Sequence, residues 1–243
     1  MNASTRPRKT STRPKARKRS RPSLDRDIVI QAALAEIDEK GAEAFTMRDL
    51  ARRLDVFPTA IYWHVPTRNH ILADVAAEMF RNVVPKRRSK DWRTALRTTF
   101  LRFRQGMRRH PNVAPLIGTQ MIGNASIDLG FAEGVLETLD RAGLAGDSLV
   151  AAYNAVVASL VGFVAQEFSP IPTDGTAQWQ LDIRKRLIEA DPKRYPVLTA
   201  NLPDLANQAF ILRWQNGSEA PLDASYKAYI EQVIAGIESL TRR

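Results

Sequence analysis

The stretch from Phe45 to Val65, "FTMRDLARRLDVFPTAIYWHV", holds two helical patterns separated by three residues. In the first, Met47, Leu50, Ala51 and Leu54 share one face at the i, i+3, i+4, i+7 spacing of an amphipathic helix. Thr46 stands before it and Asp49 three residues on, the spacing of a capping box. Asp55, Val56 and Phe57 make the connection, because aspartate tolerates the left-handed conformation of a tight turn. Pro58 suits the first position of a second, short helix over 58–64, where its missing N–H is no loss. Val65-Pro66 ends that helix, the residue before proline being pushed out of the helical region. Tyr62, Trp63 and His64 therefore sit side by side on a short element. At about 100° per residue they point three ways, so at least one ring faces outward.

The same pattern extends on both sides. Asp25 can cap a preceding helix whose stripe is Ile30, Ala33, Leu34 and Ile37, and Gly41 ends it. Thr67 caps a following helix with Ile71, Leu72, Val75 and Met79 inward. Two short helices joined by a three-residue turn and braced by a third make a helix-turn-helix. Ile61 and Val65 return to its small core, while Pro58, Thr59 and Tyr62 lie together on the opposite side. That face offers a hydroxyl, a phenol and apolar ring atoms, enough to bond a base edge, touch a thymine methyl and anchor a phosphate. His64, at the helix end, can donate to a phosphate. Taken singly, Trp63 reads as a packing residue, His64 as an ordinary surface histidine, and Arg52 and Arg53 as a solvated helix face. Only the whole constellation points to DNA.

"LDRDIVIQAALAEIDEKGAEAFTMRDLARRLDVFPTAIYWHVPTRNHIL", residues 24–72, resembles the DNA-binding domain of TetR-family transcriptional regulators, with "YWHV" especially similar to the tetracycline-repressor branch. The resemblance implies base or phosphate contacts at Thr46, Arg48, Pro58, Thr59, Tyr62, Trp63 and His64, and a phosphate contact from Arg68. It further implies a homodimer on a palindromic double-stranded operator and a helical C-terminal domain that binds a small-molecule inducer. Two positions depart from the family's pattern: Asp55 stands where glycine is usual, and Phe57 where a small or acidic residue is common. Phenylalanine cannot N-cap, at a cost of about 1 kcal/mol, so Phe57 is expected to touch sugar or a thymine methyl.

The rest of the 243 residues reads as all-α. Helices fit 91–109, 126–142, 147–168, 174–190 and 222–241, with shorter pieces near 113–121 and 203–214. The expected organisation is a disordered basic arm over 1–22, a DNA-binding domain over 23–83 (motif 46–65), and a ligand-binding and dimerisation domain over 84–243. The net charge of +10 is concentrated in two blocks: residues 1–22 hold nine basic residues and no acid, and residues 81–109 hold eleven against Asp91 alone. An arm of that composition buries no core and tracks phosphates with salt-dependent affinity. The cluster "PKRRSKDWR" reads as a solvated loop.

Phe100, Phe103, Met107, Met121, Phe131, Phe163 and Trp179 are candidates for the inducer pocket. Tyr226, Ile230, Val233, Ile237 and Leu240 recur near a 3.5-residue repeat, as an interhelical seam does. With Val157 and Leu160 of the 147–168 helix they are the expected dimer interface. Ser148 to Gln166 runs nineteen residues without a charge, but its alanines, Asn154 and Tyr153 make it a buried or interface helix rather than a membrane span. With no apolar segment near the start, a cytoplasmic location is expected. The chain has no cysteine, which excludes disulfides and thiolate metal sites. Three histidines, with no glycine-rich phosphate loop, HExxH motif or nucleophile elbow, argue against an enzyme; no cofactor or metal is expected. An architectural DNA binder working through the arm, or an activator of the same fold, stands as the alternative.

Overall fold

Asp25 opens the first helix: its carboxylate accepts from the N–H of Ile28 at 2.8 Å. In the computed structural model, which describes residues 24–85, 89, 91–120 and 129–241, α1 spans Arg26–Lys40 and turns Val29, Ile30, Ala33, Leu34 and Ile37 inward. Gly41, at φ 84°, carries the chain out of it. Thr46 caps α2 (Met47–Leu54) by accepting from the Asp49 N–H, while its own hydroxyl donates back to the Asp49 carboxylate at 2.7 Å. Asp55 adopts the left-handed conformation (φ 53°, ψ 49°) that the turn requires.

Pro58 begins α3 (Pro58–Tyr62), and Phe57 supplies no capping hydrogen bond. The helix ends two residues before the expected 64, so Trp63 and His64 occupy the turn that follows. Thr67 caps α4 (Arg68–Glu78). Ile61, Val65, Ile71 and Val75 are fully buried, and α3 packs against α2. Two ion clusters brace this unit. Glu36, almost wholly buried, accepts from Arg53 and Lys40, and Asp74 accepts from Arg26 at 2.9 and 3.0 Å.

The remaining helices are α5 (Trp92–Arg109), α6 (Ala114–Gln120), α7 (Leu129–Asp140), α8 (Gly146–Glu167), α9 (Thr176–Ile188), α10 (Pro196–Leu205) and α11 (Asp223–Thr241), with a single 3₁₀ turn at Pro111–Val113. Among the described residues there is no strand. The core of α5, α7, α8 and α11 is continuous with that of the N-terminal unit through α4 against α6 and α1 against the 3₁₀ turn. α8 is long and apolar enough to cross a membrane by length and composition. Here Val156, Leu160, Phe163 and Val164 face other helices of the same chain. At its end the buried Glu167 accepts two bonds from Arg104, at 2.7 and 2.5 Å.

Two further expectations are corrected. No helix covers 203–214: α10 lies earlier, with Pro196 at its first position, and turns follow, with Asn207 and Ile211 at positive φ. Pro203 sits inside α10. The repeat of Tyr226, Ile230 and Ile237, with Leu160 on α8, is an intramolecular seam. All four are buried in their own chain, and the Tyr226 hydroxyl donates to the Phe100 carbonyl at 2.8 Å. A 3.5-residue spacing shows that a face is covered, not which partner covers it. Val157 and Val233 are only partly buried, at the edge of that seam. Finally, the basic arm, Met121 and the beginning of the 126–142 helix lie outside the described residues.

Candidate DNA-binding face and effector cavity

Because α3 buries Ile61 and its neighbour Val65, its other side chains have no place inside. Pro58, Thr59 and Tyr62 are exposed, as are Thr46 and Arg48 at the start of α2. Phe57 is 84% exposed and Trp63 88% exposed. The packing role expected of Trp63 is therefore not the one it has: it follows the last turn of α3, where the indole finds no helix to lie against. Along the chain these two exposed apolar rings flank the exposed Thr59 hydroxyl and Tyr62 phenol. His64 is half-buried beside them.

Arg68 is held differently from the phosphate contact implied for it. Its guanidinium donates to the carbonyls of Phe45 and Ala42, both at 3.0 Å, and lies 5.7 Å from the centre of the Phe45 ring. The turn between α1 and α2 leaves those carbonyls without helical partners, and Arg68 satisfies them. The arginine thereby fixes the relation of α4 to α2. No spacing rule would have found this, since the contacts span 23 and 26 residues.

The candidate pocket residues do not gather around one space. Phe100, Phe103 and Met107 are fully buried core. Phe163 meets the rings of Phe210, Tyr226 and Tyr229 at centroid distances of 5.0, 4.9 and 5.2 Å. Trp179 lies half-exposed on α9, a helix that buries no side chain. Phe131 lines a cavity of about 380 Å³ under the segment that joins α4 to α5. That is within the usual size of a small-molecule site. Sequence reading missed its other walls: Phe80, Val84, Gly134, Thr138 and Arg141. Arg141 donates there to the carbonyls of Ser89 and Glu137 and to the Thr138 hydroxyl.

Among the charged groups of this region, Arg104, Arg108, Glu167 and Asp223 pair with one another. Asp223 accepts from Arg104 and Arg108, and the Arg104 hydrogen bond holds its carboxyl below the usual range. Burial pushes the Tyr226 phenol above its ordinary value, so it stays a neutral donor.

Two family models match this chain: "Bacterial regulatory proteins, tetR family" over residues 29–75, and "Tetracyclin repressor-like, C-terminal domain" over residues 84–240. The chain belongs to the tetR family of bacterial regulatory proteins. An HTH-type transcriptional regulator of Saccharopolyspora erythraea is 31% identical over 194 residues, covering 79% of this chain and 80% of its own. The class G tetracycline repressor of Vibrio anguillarum is 30% identical, covering 59% and 69%. Among solved structures, a possible TetR family transcriptional regulator from Streptomyces coelicolor matches with a TM-score of 0.69 at 22% identity, covering 89% and 100%. ActR of the same organism, in complex with (S)-DNPA, matches with 0.68 at 18% identity, covering 90% and 98%; both likenesses speak to the fold. Regulators of the tetR family are DNA-binding repressors that act as dimers and carry a domain for small-molecule effectors. This chain is such a regulator.

Proposed function

We propose that this regulator reads a palindromic operator through Thr46, Arg48, Phe57, Pro58, Thr59, Tyr62, Trp63 and His64, and releases it when a small molecule binds. The supporting observation is the pair of exposed rings, Phe57 and Trp63, one at each end of a short helix that buries Ile61. Exposing two large apolar side chains brings no stability to the free chain, and contact with sugar and thymine methyl groups accounts for both. Arg68 ties α4 to the turn between α1 and α2 through the carbonyls of Phe45 and Ala42, and the phosphate contact expected of it belongs to the same reading.

Two copies would present two recognition helices roughly 34–36 Å apart on one side of the duplex. The exposed sides of α8 (Ala151, Ala155, Ala158, Gly162) and α11 (Ala228, Ala235, Gly236) are small, and they support a four-helix interface in which axes approach to about 8–10 Å. Val157 and Val233 border it. An effector that binds better to a conformation with another half-site separation releases DNA by differential affinity. The protein works in the cytoplasm and catalyses no reaction.

Selection of bound duplexes from a random pool tests this, with the full chain beside a chain starting at Ser23. One palindrome recovered by both supports a dimeric, sequence-specific regulator. Unenriched binding that disappears without residues 1–22 would assign DNA binding to the basic arm and make the protein an architectural binder.

A further inference from the structure

Residues 81–109 hold eleven basic residues against Asp91 alone, and the reading of the operator uses none of them. Most of the described ones have carboxylate partners. Arg93 pairs with Glu238, Arg97 with Glu231, Arg104 with Glu167, Arg108 with Asp223, and Arg81 with Glu78. Arg102 and Arg109 have none among the described residues. They stand seven residues apart on α5, with Gln105 and Gly106 between them at the third and fourth positions. That spacing puts all four on one stripe, with the arginines two turns, about 10.5 Å, apart along the axis.

The stripe lines a groove of about 470 Å³, shared with Gln31 and Leu34 of α1 and with residues 78–83 at the end of α4. A Cβ on Gly106 would meet nothing within 4 Å, so the helix surface between the two arginines is open. The side-chain amides of Gln31, Asn82 and Gln105 also line the groove, and none is committed to a hydrogen bond among the described residues. The other charged groups there are engaged. Glu78 holds Arg81 at 3.0 Å, Asp27 stands 3.7 Å from the same arginine, and Asp38 meets His110 at 2.7 Å. Two guanidiniums and three amides are thus ready to donate, and the one carboxylate of the lining already faces an arginine. The groove lies at the far end of α4 from Arg68, about 15 Å along the helix, on the side of the effector domain. That placement favours a dissolved anion over a phosphate of the duplex.

We propose that this groove binds a small molecule carrying linked phosphates, a diphosphate or triphosphate, between Arg102 and Arg109. The planar fork of a guanidinium takes phosphate oxygens in pairs, and two forks two turns apart suit two phosphates better than one. The three amides complete the hydrogen bonds. Such a ligand touches α1, the end of α4 and α5 at once, and so braces the DNA-binding unit against the effector domain. The site is separate from the cavity lined by Phe131, and it stands however the operator is read.

Titration calorimetry of the full chain with inorganic pyrophosphate, at fixed ionic strength, tests the site. Pyrophosphate should bind more tightly than orthophosphate or citrate and should raise the melting temperature. Arg102→Gln and Arg109→Gln should each weaken it about tenfold, roughly the worth of one charge-assisted hydrogen bond. Gly106→Glu sets a carboxylate between the two guanidiniums and should abolish binding in the groove. Glutamate is the better helix former, so the melting temperature of that variant without ligand should not fall. Operator affinity and its salt dependence should be the same in the two arginine variants as in the wild type. Equal pyrophosphate affinity in the wild type and all three variants assigns the binding to other basic residues and overturns the site. Citrate bound as tightly as pyrophosphate overturns the phosphate class. An operator salt slope smaller by about one in either arginine variant makes the groove a contact for the duplex and overturns the dissolved ligand. The pyrophosphate titrations use no DNA, so a failure of the operator reading leaves their outcome intact.

Discussion

Phe57 and Glu36 behave oppositely in the free chain. Phe57 occupies the position before α3 without capping it, so Phe57→Ser should stabilise the protein by about 1 kcal/mol while weakening operator binding. Thermal melting and operator titration of one variant check both signs; a loss of stability, or undiminished affinity, contradicts the role given to the ring. Glu36 is held below the ordinary carboxylate range by its bond to Lys40 first and to Arg53 second, against its burial. A depressed folded-state value means that its stabilisation is complete above the unfolded value. It fades as pH falls through the folded one, below about pH 4.5. Glu36→Gln should therefore lose stability at neutral pH and show a shallower decline on acidification, followed by urea unfolding across pH. Caps and turn residues such as Asp25, Thr46, Asp55 and Pro58 were legible because their signals are local. The hold of Arg68 on Phe45 and Ala42 was not, because a long side chain's partner across 23 residues leaves no trace in spacing.

At the scale of elements, α5, α8 and α11 are tied by ions as well as by packing. Arg104 joins Glu167 at the end of α8 to Asp223 at the start of α11, and Glu167 also accepts from the Leu222 N–H at 2.9 Å. Glu167→Gln leaves the buried Arg104 with Asp223 as its remaining carboxylate, so it should lower stability by about 1–3 kcal/mol in urea unfolding. A change under 1 kcal/mol would show that water reaches the pair. Helix existence was readable here from apolar spacing, since each long helix has one buried stripe. The location of α10 was not: where a piece near 203–214 is expected, the helix begins at Pro196 and holds Pro203 inside it. The seam on α11 shows the deeper limit: periodicity marks the covered face, while the exposed face, made of alanine and glycine, carries no apolar signal.

For the whole molecule, the small-residue faces of α8 and α11 decide whether two recognition helices act together. Ala158→Arg should give monomers in light scattering and should reduce operator affinity by orders of magnitude, because one half-site replaces two. Val157→Glu should do less, its side chain being partly covered by its own chain. Dimers persisting in Ala158→Arg would move the interface elsewhere. The four tryptophans are distributed in a way that makes the molecule its own optical instrument. Trp63 stands in water at the recognition edge, Trp92 is buried at the start of α5, three residues from Ala95 in the cavity wall, and Trp179 and Trp214 are half-covered. The indole emission of Trp63 is the one that operator DNA would quench or shift to the blue. A response to a small molecule in the absence of DNA would come from the other three. An unlabelled sample thus reports reading and sensing at separate wavelengths.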